Sequence, residues 1–95
     1  MIRVPVTSGS DVRFVFTFTD VNDSPVPVSA PEVILASAEL TRRITATLTN
    51  GAGGVVSLFI DGTRPIPVGN HTFRLRVLTA GGDHIASRGI LLDVS

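Results

Sequence analysis

The sequence predicts an all-β fold, an antiparallel immunoglobulin-like β-sandwich of about seven strands. Three observations predict it. Apolar residues recur mostly at every second position, the period of a half-buried strand. Thr, Val, Gly and Pro are abundant, and they favour strands and turns over helices. Turn signals break the chain about every 8–12 residues, the spacing of a small sandwich. A small barrel is the alternative closure. The chain has 95 residues and no linker-like stretch, so residues 1–95 read as one domain.

Ile2, Val4 and Val6 alternate and make a first short strand. Pro5 lacks an N–H, which places this strand at a sheet edge. Thr7 to Ser10 is a turn. Val12, Phe14, Phe16 and Phe18 then share one face, which makes this the strongest strand signal and a main supplier of core. Asp20 to Ser24 is a turn by composition, and Pro25 to Val28 is extended but unfit for a central strand.

From Val33 to Leu40 a strand is expected, with a helical turn over Ala36–Leu40 as the alternative. Ile44, Ala46 and Leu48 alternate with Arg43 and a run of Thr. Asn50 to Gly54 reads as a glycine-rich hairpin turn. Val56, Leu58 and Ile60 make the returning strand. Phe73, Leu75 and Val77 form another, Ala80 to Asp83 a turn, and Ile85 to Val94 a last strand with a bulge at Gly89.

Composition excludes several functions. Eight basic residues, all Arg, balance eight acidic ones. Zero net charge argues against a nucleic-acid partner, which calls for basic excess, and suits a protein that docks on another protein. No apolar run approaches the roughly 18 residues of a membrane helix, so no membrane partner is expected. Without Cys there is no disulfide scaffold or thiol chemistry. A GC-rich genome is the simplest source of the missing Lys; a selected interface property is the other. The N-terminal stretch is too broken by Pro5, Thr7, Ser8 and Gly9 to make a secretory signal, so synthesis in the cytoplasm without processing is expected.

Residues that could carry chemistry are few. His71 and His84 each sit beside a turn and lack metal-ligand spacing, so they read as structural. There is no G-x-S-x-G elbow, and Asn50–Gly54 lacks the G-K-[ST] of a phosphate loop. The sequon patterns at Asn22 and Asn70 read as chance. Phe18 to Pro25 resembles the calcium-binding linker of cadherins, with Asp20, Asn22 and Asp23 as oxygen ligands. Calcium needs about six to eight oxygens, and the family's partner acidic motifs are absent, so an Asx-rich turn is the preferred reading. No enzyme, no cofactor and no metal are expected.

Three groups are candidate contact residues. Ile2, Val4 and Val6 offer an edge for strand addition. Arg64, Pro65, Ile66 and Pro67 form a loop that could touch a partner. Arg74 and Arg76 share the polar face opposite Phe73, Leu75 and Val77, either as a solvated face or as a dock for an acidic partner.

The order of features goes further than any single motif. Gly9-Ser10-Asp11 precedes the Phe-rich strand; Val68-Gly69 and Phe73-Arg74-Leu75 follow later; Gly89, Leu91 and Asp93 close the chain. This order resembles the Ig-like sandwich domains of tailed-bacteriophage particles. They include the N-terminal domain of siphophage upper baseplate proteins and related capsid and tail accessory domains. That family ends one strand in L-x-x-G-x-Y-x-[FYL] and closes on G-x-L-x-V; its Tyr is missing here. The resemblance implies a non-enzymatic virion structural protein, a capsid decoration or tail accessory, that docks on other virion proteins and could form a homo-oligomer. An adhesive or carbohydrate-binding Ig-like module is the alternative. Against that alternative stand the missing Trp and Tyr on which sugars usually stack.

Overall fold

Two sheets face each other across one apolar core in the computed structural model, which describes residues 1–95. The larger sheet has the order β1 (Ile2–Val6), β8 (Ile90–Val94), β6 (Gly69–Thr79), β3 (Val28–Ile34). A short strand β7 (His84–Ala86) returns along β6 as a hairpin. The smaller sheet has the order β2 (Val12–Thr17), β5 (Val55–Ile60), β4 (Ile44–Asn50). One helical turn, α1 (Ala38–Arg43), leads into β4. The expected Ig-like sandwich is therefore present, with eight strands. Every pairing is antiparallel except one: β1 runs parallel to β8.

The core follows from period-two patterning on the central strands. Val56, Leu58 and Ile60 of β5 face Phe73, Leu75 and Val77 of β6 and Ile90, Leu92 and Val94 of β8. All nine are buried, and each contributes roughly 1.5–3 kcal/mol of burial. Ile2, Val4 and Val6 point into the same core from β1, with Val6 fully enclosed. The strand itself lies at the edge that Pro5 requires.

The Phe-rich strand contributes less than its sequence suggests. Phe14, Phe16 and Phe18 point inward but stay half-buried. The physical reason is placement: β2 is an outer strand of a three-stranded sheet, so only one flank of its inner face is covered. Phe14 and Phe16 partly make up for this by an edge-to-face contact, with centroids 5.7 Å apart.

The segment after Leu35 departs from the expected strand. β3 lies earlier, at Val28–Ile34, and carries Pro31 on an outer strand, where a missing N–H costs no ladder bond. Its register shifts between Ser29 and Glu32, next to Ala30 at φ +49°. The helical alternative holds, but over Ala38–Arg43. Ser37 caps it by accepting from the Leu40 N–H at 3.1 Å, and Arg43 pairs with Glu39 one turn back. Arg43 is thus helical, not a strand neighbour of the threonines.

The last strand divides in two around Ser87-Arg88-Gly89. The bulge expected at Gly89 is instead a break between two strands, and Ser87 bridges it. Its hydroxyl accepts from the Leu75 N–H at 3.0 Å, and its own N–H donates to the Leu75 carbonyl at 2.8 Å. The buried ladder position is thus satisfied where strand pairing lapses.

Candidate functional site

The outer face of the small sheet carries the most ligand-like surface. Along β5, Val55, Ser57 and Phe59 point away from the core because Val56, Leu58 and Ile60 point into it. Strand register then sets the neighbours. Phe59 lies between Arg13 of β2 and Thr45 of β4, and Ser57 lies between Val15 and Thr47. A depression of about 360 Å³ opens over Arg13, Val15, Thr47, Thr49, Ser57 and Phe59. The Arg13 guanidinium carbon lies over the Phe59 ring, 4.4 Å from its centroid. No carboxylate pairs with Arg13. The Thr49 and Ser57 hydroxyls hydrogen-bond each other, which aligns a short row of hydroxyls across the depression.

Chemically, this surface mixes an aromatic face, a free guanidinium and hydroxyls that donate and accept. That mixture can hold a ligand with apolar C–H faces and polar edges. No expected contact residue lies in it. The signal was present in the sequence: alternation that buries Leu58 and Ile60 turns Phe59 outward.

The expected contact residues fall elsewhere. Ile2, Val4 and Val6 are core side chains; only the backbone on the open side of β1 is free to pair. Ile66 is buried at 2% exposure, because the loop tucks it under the core, so it offers nothing to a partner. Pro65 and Pro67 are exposed, and the Pro67 carbonyl accepts from the His71 Nε2–H at 2.7 Å. Arg64 is exposed and unpaired.

Arg74 and Arg76 do share the outer face of the large sheet, but they differ. Arg76 is engaged by Glu32 across the β3–β6 pairing at 2.6 Å. Arg74 has no acidic partner and lines a shallow hollow of about 160 Å³ with Met1, Leu35 and Thr72. Leu35 there is 75% exposed and sits at φ +55°, unusual for a bulky residue.

The Asp20–Pro25 turn is closed upon itself. One carboxylate oxygen of Asp20 accepts from the N–H groups of Asn22 at 2.8 Å and Ser24 at 3.0 Å. Asp23 adopts φ +60°, which Asp tolerates well. This is the geometry of an Asx turn. No group of three or more His, Asp or Glu side chains converges anywhere in the chain.

The fold and its surface define an Ig-like β-sandwich whose small sheet carries a half-buried aromatic ring and a row of hydroxyls on its outer face. No family model and no curated protein sequence matches the chain. Solved structures do resemble it. The GspB Siglec domain superposes with a TM-score of 0.66 at 18% identity, over 98% of this chain and 53% of that one. An arginine-to-glutamate variant of the SrpA adhesin from Streptococcus sanguinis gives a TM-score of 0.67 at 14% identity, over 100% of this chain and 55% of that one. The likeness is one of fold, and the chain spans about half the length of each of these structures.

Proposed function

We propose that the chain is a non-enzymatic adhesive module that binds a carbohydrate on the outer face of its small sheet. The observation that carries this reading is Phe59, turned outward beside an unpaired Arg13 and the hydroxyls of Thr47, Thr49 and Ser57. Phe59, one ring face of which Arg13 covers, supplies the apolar contact that Trp or Tyr supplies in other sugar sites. Arg13 and the hydroxyls supply orientation. The adhesin likeness of the fold supports the same class. The test is a glycan array probed with the labelled chain and with Phe59→Ala. Binding that is lost in the variant supports the proposal; no hit on any glycan overturns it.

A second reading is a docking domain of a virus particle, in which the chain joins other virion proteins. It rests on the resemblance to phage particle domains and on the open side of β1, which leaves a backbone edge for strand addition. Co-purification with phage particles would favour it over the adhesive reading.

A further inference from the structure

We propose that Arg42, Arg43 and Arg64 form a binding site for a tetrahedral oxyanion, a sulfate or phosphate group, separate from the small-sheet face. The helical turn places Arg42 and Arg43 at its C-terminal end, and the loop after β5 brings Arg64 to them. An open cleft of about 320 Å³ is lined by these three side chains alone. No carboxylate lines it. Glu39 is held by Arg43 at 2.8 Å and lines a different hollow, with Ser37 and His71. Asp61 feels the charge of Arg64 but forms no ion pair with it, and directs a carboxylate oxygen to the N–H and hydroxyl of Thr63, at 2.9 and 2.8 Å.

A second observation concerns how Arg43 is held at the edge of the cleft. The Nε of Arg43 is the chain's one buried side-chain polar atom without a hydrogen-bond partner. Buried donors on charged groups are costly to leave unpaired, so an orphan of this kind calls for an explanation. Arg42 and Arg64 form no ion pair either. Complementing the helix dipole accounts for basic residues at the end of α1. It accounts neither for Arg64, which comes from another loop, nor for the orphan Nε.

The ligand class follows from donor geometry. Each guanidinium offers a planar fork suited to two oxygens. Arg42 and Arg64 bring two free forks to the cleft, and Arg43, tied to Glu39, adds its positive charge; together they offer more donors than the two oxygens of a carboxylate can accept. A tetrahedral group presents three or four oxygens in different directions. The cleft is roomier than a bare ion needs, which leaves space for the sugar or other group that carries it. Nucleic acid fits poorly, because the charge is a single point on a chain of zero net charge and the cleft has no aromatic residue for stacking.

The test is a titration followed by the side-chain Nε–Hε resonances of ¹⁵N-labelled protein. The probes are sodium sulfate, sodium phosphate, sodium acetate and glucosamine 6-sulfate, at matched ionic strength. Sulfate or phosphate should shift the Arg43 resonance with saturation, and acetate should bind more weakly. Tighter binding of the sugar sulfate would mark an ester as the natural source, and equal binding the free ion. The double variant R42Q/R64Q leaves the Arg43–Glu39 pair in place and should weaken binding by about tenfold or more. Its backbone amide spectrum reports whether the fold is kept, and single R42Q and R64Q variants serve if it is not. An Arg43 resonance unmoved by every oxyanion overturns the proposal, as does binding equally strong in the variants. Either outcome leaves glycan binding through Phe59 standing.

Discussion

Replacing Gly54 by Ala should cost far more stability than the same change at Gly9, and the structure says by how much. Gly54 is buried at φ +70°, at the start of β5. A Cβ there would lie 2.6 Å from the Phe18 carbonyl oxygen and 2.7 Å from that of Val26. Both are backbone atoms. The Phe18 carbonyl already accepts from the Val26 N–H at 2.9 Å, and Phe18 donates to the Gly54 carbonyl at 2.9 Å. The left-handed backbone alone costs Ala about 1 kcal/mol. Relieving the two close contacts adds about 1–3 kcal/mol. For a domain of this size the sum of about 2–4 kcal/mol lowers Tm by about 10–25 °C. Gly9 has φ +90° but nothing within 4 Å of an added Cβ, so Gly9→Ala should lose only the backbone part. Far-UV circular dichroism is the assay, since the chain lacks Trp and Tyr and fluorescence is uninformative. A Gly54→Ala protein that melts within about 3 °C of Gly9→Ala would refute the steric argument.

Other substitutions test other parts of the account. Ser87→Ala removes the acceptor of the Leu75 N–H at a buried position and should cost about 1–3 kcal/mol in urea unfolding. Leu35→Gly should hold or raise stability by up to about 1 kcal/mol, because it releases a left-handed leucine that is mostly exposed. Asp61 is held below the ordinary carboxylate value of 3.8, first by the Thr63 N–H, then by its hydroxyl, against an opposing desolvation, with Arg64 adding the least. Its contribution to stability is therefore complete above pH 3.8 and is lost as pH falls through the lower folded value. An NMR titration should show Asp61 protonating below that value, and Thr63→Val should move it back up.

Much of the fold was legible because period two survives wherever strands are central. Val56–Ile60, Phe73–Val77 and Ile90–Val94 show one apolar face each, and all three build the core. Pro5 marked its strand as an edge for the same reason that any missing N–H does. What local pattern could not reveal was coverage. Phe14 and Phe16 alternate as cleanly as Leu58 and Ile60, yet sheet order leaves them half open. Ile66 looked like a loop residue between two prolines, and only tertiary packing buries it. The contact surfaces were harder still. Phe59 was readable as outward-facing, but its partners Arg13 and Thr47 come from strands on either side of it, joined by register alone. Arg42, Arg43 and Arg64 line one cleft only because the helical turn, expected as the alternative over Ala36–Leu40, runs over Ala38–Arg43.

The measurement closest to the central claim is the affinity of the intact chain for its best glycan-array hit, compared among wild type, Phe59→Ala, Arg13→Ala and Val21→Ser. Val21 is a fully exposed loop residue outside the small-sheet depression. The account predicts that Phe59→Ala and Arg13→Ala each lose binding by about tenfold or more, while Val21→Ser binds as wild type. Glycan binding that persists unchanged in both Phe59→Ala and Arg13→Ala would contradict it.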